Sequence, residues 1–127
     1  VEGYLVGPGA NLSSADLTDA NLTNANLNDA ILTDAYMWGA DLTHSTLKNV
    51  TLTDGNLTNA NLTNAELQFA NLTNTNLFGA DLSNADLTGA SLASSTLTDV
   101  TGSAKYNSAT MLPTGFDPVA AGWTLVS

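Results

Sequence analysis

A leucine stands at every fifth residue but one from position 12 to position 97, and that period excludes most ways of folding a chain. The series runs Leu12, Leu17, Leu22, Leu27 and Leu32, passes through Met37, and resumes as Leu42, Leu47, Leu52, Leu57, Leu62, Leu67, Leu72, Leu77, Leu82, Leu87, Leu92 and Leu97. Two residues before each member lies a small side chain, alanine throughout except at Ser45, Val50, Gly55, Thr75 and Ser95. On an α-helix, which advances about 100° per residue, a step of five turns successive leucines by about 140° and spreads them around the whole surface. On a flat strand, whose side chains alternate faces, an odd step sends them to opposite sides. The arrangement that buries them all is three extended residues, with the small side chain in, the polar one out and the leucine in, followed by a two-residue bend that restores the phase. Each unit of five is then one side of a polygon. The bend positions agree: Asp19, Asn24, Asp29, Asp34, Gly39, Asn59, Asn64, Gly79, Asn84, Gly89 and Asp99 tolerate unusual φ or cap their own backbone.

Units such as Ala20-Asn21-Leu22-Thr23-Asn24 and Ala60-Asn61-Leu62-Thr63-Asn64 resemble the pentapeptide repeat protein family. The resemblance, which covers residues 10–101, implies an all-β fold. This is a right-handed quadrilateral β-helix, or β-solenoid, with four pentapeptides per coil and the leucine and small residue both pointing into the bore. Eighteen units then make about four and a half coils, a stack about 22 Å tall at the spacing of paired strands. Residues twenty apart share a column, so that Leu12, Leu32, Leu52, Leu72 and Leu92 form one interior ladder. Within that core, Val50 is expected to add volume at a corner where Gly55 removes it.

An open stack has edges that invite aggregation unless covered, so residues 1–9 and 102–127 are expected to be caps on a single domain. Tyr4, Leu5 and Val6 precede a Gly7-Pro8-Gly9 turn and are expected to fold over the first coil. The phase breaks at Gly102, after which Tyr106, Met111, Leu112, Phe116, Trp123 and Leu125 are expected to plug the far end. Asp117 to Gly122 has the order of a short helical turn, with a cap, a proline at the first position and a closing glycine. The stretch from Thr110 to Val126, around Pro113-Thr114-Gly115-Phe116-Asp117-Pro118, resembles a terminal cap that recurs in bacterial members of the family.

Charge narrows the choice of partners. Twelve acids stand against two lysines, giving a formal net charge of −10. Phosphate-backbone binding needs a basic footprint, so direct contact with nucleic acid or an anionic membrane is disfavoured. No apolar run approaches the roughly 18 residues of a membrane span. The absence of cysteine excludes disulfides, thiolate nucleophiles and cysteine-ligated metals. The sequence begins at Val1, with neither an initiator methionine nor a signal-like segment, and reads as a mature or excised fragment. An extracellular or periplasmic place is favoured over a cytoplasmic one.

No enzymatic chemistry is expected. His44, the one histidine, lies at a corner between Thr43 and Ser45. A nucleophile triad would need it held by an acid inside a concave site, whereas the surface around Asp41 and Ser45 should be flat or convex. The carboxylates alternate with Asn along the outside as a solvated face. No catalytic residue, cofactor or metal is assigned, although Asp34 and Asp54, one coil apart at roughly 5 Å, would bind a cation or share a proton. The Asn-Leu-Thr triplets match a glycosylation acceptor, but the repeat generates them automatically.

Exposed aromatics are the more informative surface residues. Tyr36, Trp38 and Phe78 map to one side of the stack, Trp38 and Phe78 in one column with Thr58 between them, while Phe69 lies at a corner elsewhere. These four are the candidate partner patch, on a chain expected to be a monomer or weak homodimer that binds protein. The leading functional reading is a non-catalytic scaffold or protein-interaction module. A second borrows from family members that mimic DNA, whose acidic rods occupy a topoisomerase's DNA channel. Those relatives are generally longer. A third rests on Thr33, Thr53 and Thr73 in one column with Thr51 alongside, which resemble the threonine arrays of ice-binding solenoids. Ile31, Asn71 and Ala93 interrupt that array.

Overall fold

The computed structural model describes Gly3 and residues 5–127. Successive coils are joined by parallel bridges between residues twenty apart, from Asn11 with Ile31 to Asp81 with Thr101. The bridged residues precede a leucine, except Tyr36 before Met37 and Thr101 before Gly102, and each bridge is made by two bonds. Ile31 N–H donates to Ala10 C=O at 2.9 Å, and Leu12 N–H donates to Ile31 C=O at 2.7 Å. The register makes a coil of four five-residue sides, here called the first (Leu12), second (Leu17), third (Leu22) and fourth (Leu27).

The corners explain the residue choice after each leucine. At all of them the leucine C=O accepts the N–H three residues on, as in Ala15 to Leu12 at 3.0 Å and Ala65 to Leu62 at 3.0 Å. The residue two after the leucine is left-handed every time, with φ between 55° and 63° at the fifteen non-glycine corners. Left-handed backbone at the third position only, with the 4→1 bond, is the type II turn, which favours glycine and asparagine there. Asn and Asp fill most of these corners because their short polar side chains lower the cost of the left-handed region. The same turn extends one unit upstream: Ala10 N–H donates to Gly7 C=O at 3.1 Å, with Pro8 at the second position and Gly9 at φ 68°.

Where Asn or Asp stands before the leucine, that residue locks the turn from outside. Its Oδ1 accepts the N–H of the residue after the leucine and, where that residue is Ser or Thr, often its hydroxyl as well. Thr63 gives both groups to Asn61, at 3.0 and 2.6 Å, and Ser83 gives both to Asp81, at 2.9 and 2.6 Å. This is an Asx-turn, and it accounts for the recurrence of Asn/Asp-Leu-Thr/Ser.

Inside, the leucines and Met37 are buried, as are most of the alanines. The polar small residues are buried too, each with its hydroxyl spent on a leucine carbonyl: Ser45 on Leu42 at 2.6 Å, Ser95 on Leu92 at 2.7 Å, and Thr75 on Leu52 at 2.8 Å. Satisfied in this way, a hydroxyl costs little in an apolar bore. A Cβ at Gly55 would lie 3.0 Å from Leu52 O, the acceptor of that corner's own turn bond, 3.4 Å from Leu52 Cδ2 and 3.7 Å from Ala35 O, while Val50 is fully buried.

At the far end the ladder continues past residue 101 with a shift. Asp86 pairs with Lys105, nineteen residues on, before Ser91 pairs with Met111 at twenty. Asn84 N–H still donates to Ser103 C=O in the regular register, whereas Leu87 N–H donates to Lys105 C=O, so the missing residue falls between Ser103 and Lys105. Two short strands, β1 (Lys105–Tyr106) and β2 (Thr124–Leu125), then pair in parallel and add a further layer. Trp123 is buried, its ring 4.8 Å from Phe116 and 6.4 Å from Tyr106, and Leu112 packs beside the core. Asp117 Oδ1 accepts the N–H groups of Val119 and Ala120, and Ala121 N–H donates to Asp117 C=O, which makes one capped turn and no helix.

Three apolar residues expected to cover the ends of the stack are exposed. Met111 is 56% exposed because its pairing with Ser91 places it in an outward column. Leu125 is 65% exposed, since β2 pairs only with β1 and nothing lies beyond it. Leu5 is 93% exposed and does not fold over the first coil, although Val6 packs against the core. Tyr4 lies outside the described residues.

Candidate interaction surface

With leucine and alanine filling the bore, any contact with other molecules falls on the outer columns. On the second side the column before the leucine carries Asp16, Tyr36, Asn56, Asn76 and Thr96, and the column after it carries Thr18, Trp38, Thr58, Phe78 and Thr98. Tyr36, Trp38 and Phe78 are 57%, 45% and 41% exposed. Glycine follows each of the latter two for a reason beyond φ. A Cβ on Gly39 would collide with Asp19 Oδ1, and one on Gly79 with Asn59 Oδ1, because those side chains lie over the bare corners. Phe69 sits apart, at the corner between the fourth and first sides. It is left-handed at φ 61°, and its ring lies over Gly89, where a Cβ would be 2.6 Å from Phe69 Cδ1. The structure thus gathers Tyr36, Trp38 and Phe78 on one side and leaves Phe69 off it.

Potential catalytic groups are occupied elsewhere. The Ser45 hydroxyl faces the interior and donates to Leu42 C=O, so it is no nucleophile. His44 is an exposed corner residue whose Nε2 lies 3.5 Å from Asn64 Nδ2. The Thr43 hydroxyl and N–H hold the Asp41 carboxyl below its ordinary range, and the Thr18 hydroxyl and N–H do the same for Asp16. Asp54 accepts a bond from Asn74 Nδ2. Among the described residues no group of three or more His, Cys, Asp or Glu is placed to hold a metal. In the threonine column of the first side, Thr73 donates its N–H to Asn71 Oδ1 and shares a hydrogen bond with Ser91 at 3.3 Å.

The fourth side carries a feature the sequence reading did not single out. Both lysines are there. Lys48 pairs with Glu66 at 2.8 Å, Gln68 Nε2 donates to Asp86 Oδ2 at 2.9 Å, and Lys105 lies in register with Asp86. The step of twenty stacks Gln68 on Lys48 and leaves Glu66 on the diagonal, eighteen residues on, and the one-residue shift hides the place of Lys105.

The model of the family "Pentapeptide repeats" matches residues 10–49, 42–77 and 75–101. Solved structures agree with it. A pentapeptide repeat protein, Rfr23, from the cyanobacterium Cyanothece 51142 superposes with a TM-score of 0.72 at 36% identity, over 73% of this chain and 64% of that one. HetL, a pentapeptide repeat protein involved in heterocyst differentiation regulation from the cyanobacterium Nostoc, gives 0.54 at 27% identity, over 73% and 55%. A pentapeptide repeat protein from the Arabidopsis thaliana thylakoid lumen gives 0.59 at 27%, over 72% and 67%. The chain thus spans less than two thirds of the length of the first two. No curated protein matches the sequence. Among the described residues, no helix is long and apolar enough to cross a membrane.

Proposed function

This chain belongs to the pentapeptide repeat family, and on that premise we propose that it is a non-catalytic protein-interaction module. The family's right-handed quadrilateral β-helix serves it as a rigid post. In this reading residues 10–101 form about four and a half coils between two caps. The observation that carries the proposal is the grouping of Tyr36, Trp38 and Phe78 on one flat side whose neighbours are short polar residues. Half-exposed Tyr and Trp on a rigid surface supply contact area at low entropic cost, which is why such residues dominate binding hot spots. Threonine is the natural replacement, because Thr18, Thr58 and Thr98 occupy the rest of the Trp38 column. In co-purification from the native source, Trp38→Thr with Phe78→Thr should abolish the association that the unaltered chain forms. An association that survives the double change would remove the patch from consideration.

The net charge of −10 favours a second reading, an acidic mimic of DNA that occupies a DNA-binding protein. Protection of a topoisomerase from its inhibitor is the assay that separates it from the first.

A further inference from the structure

The string Trp38-Gly39-Ala40-Asp41-Leu42 recurs forty residues later as Phe78-Gly79-Ala80-Asp81-Leu82. Forty residues are two coils in this register, so the two copies lie one above the other about 9.6 Å apart. Each copy turns the corner from the second side to the third. The aromatic ring stands before the turn, glycine makes it, alanine enters the bore, and the aspartate stands just past it. Both carboxylates are fixed in place: Thr43 gives its N–H and hydroxyl to Asp41 Oδ1, and Ser83 gives the same two groups to Asp81 Oδ1.

The charges around this corner are all of one sign. Lys48 and Lys105, the only basic residues besides His44, lie on the fourth side, where Lys48 is already paired. The second and third sides carry Asp16, Asp19, Asp41, Asp81 and Asp99, with neither lysine. An exposed aromatic ring before a corner and a carboxylate three residues on, just past it, suit a guanidinium, which stacks on a ring and presents a planar fork of donors to an acid. A polyproline II segment repeats every three residues at about 3.1 Å per residue, so side chains three apart face one way about 9.3 Å from each other, close to the two-coil step. Same-facing residues of a β-strand are only about 6.8 Å apart and miss it.

We infer that the corner between the second and third sides binds an extended cationic peptide in polyproline II form. It runs along the stack with arginines three residues apart, one on Trp38 and Asp41 and the next on Phe78 and Asp81. The inference rests on the interaction-module reading above and names the chemistry of its partner.

The test uses the whole chain and two synthetic proline-rich peptides of equal length, charge and composition, one with arginines three apart and one with the same arginines adjacent. Affinities are read by calorimetry or fluorescence. The spaced peptide should bind more tightly than the clustered one. Its affinity should fall about two- to fivefold on Trp38→Thr and again on Phe78→Thr, the range expected of exposed cation–π contacts. Asp41→Asn should weaken it while keeping the Asx-turn, and thermal melts of the two aromatic variants should match the parent. Equal binding of the two peptides, or indifference to Phe78→Thr, would overturn the inference. If neither peptide binds but the native association still depends on Trp38 and Phe78, this inference fails and the module reading stands. If that association is also indifferent to both rings, the module reading fails with it.

Discussion

Leu62→Ala tests the stacked core where it is best surrounded. Leu62 is 1% exposed and shares its column with Leu42 and Leu82, both fully buried. Its own N–H donates to Asp81 C=O at 2.8 Å, and Asn61 N–H donates to Ala40 C=O at 2.9 Å, so the backbone on both flanks is pinned to the coils above and below. A site that is held in this way does not collapse around a lost side chain. The expected cost therefore lies in the upper part of the large-to-small range, about 3 to 5 kcal/mol, and lowers the melting temperature by about 10 to 20 °C for a domain of this size. Leu97→Ala is the matched control. Leu97 is 8% exposed, has Leu77 on one side only, and borders a cleft of about 400 Å³ lined by Pro113, Thr114 and Phe116. In a stack whose stability is a sum over neighbouring layers, a terminal loss weakens one interface and a central loss weakens two. The terminal change should cost about 2 kcal/mol. Urea and thermal melts of both variants read the difference. Equal losses, or a loss at Leu62 below about 1 kcal/mol, would refute the stacked-layer account.

Three further outcomes are expected. Val50→Ala removes two buried methyl groups and should destabilise by about 1 to 2 kcal/mol in the same melts, an unchanged midpoint counting against it. Gly39→Ala places a Cβ on a left-handed corner and against Asp19 Oδ1, and should lose more than about 1 kcal/mol, with Asp19→Gly recovering part of the loss. Asp41 and Asp16 are held below their ordinary pKa of 3.8 by donors that bind the charged form, so their contribution is complete above that value and fades as pH falls through their lowered folded values. Stability should therefore be level from neutral pH down to about 4 and drop below it, with Asp41→Asn shallower than the parent; a steeper profile for that variant would contradict the assignment.

The interior was legible because one side chain per unit decides it. A leucine at every fifth residue admits a single way of burying the whole series, and Asn or Asp at the bend named the corners that the φ values of 55° to 63° now occupy. The placement of Tyr36, Trp38 and Phe78 on one side followed from the same arithmetic. What was not legible depends on atoms that the period does not fix. Met111 and Leu125 read as plug residues because they are apolar, but Met111 keeps the step of twenty that puts it in the outward column of Ser91, and Leu125 lies on β2, where the sheet ends. The Lys48–Glu66 pair is diagonal, eighteen residues apart rather than twenty, and so falls between the columns that the period marks out.

One consequence of the Asx-turns reaches beyond this molecule. Asn61 and Asp81 are neighbours in a column and receive the same two donors at nearly the same distances, so the backbone does not distinguish the amide from the acid. Electrostatic potential can then drift by one unit at each such position while the architecture stays put. Lineages built on this frame are free to recolour their exterior, from neutral to strongly anionic, through single-step exchanges that folding does not oppose.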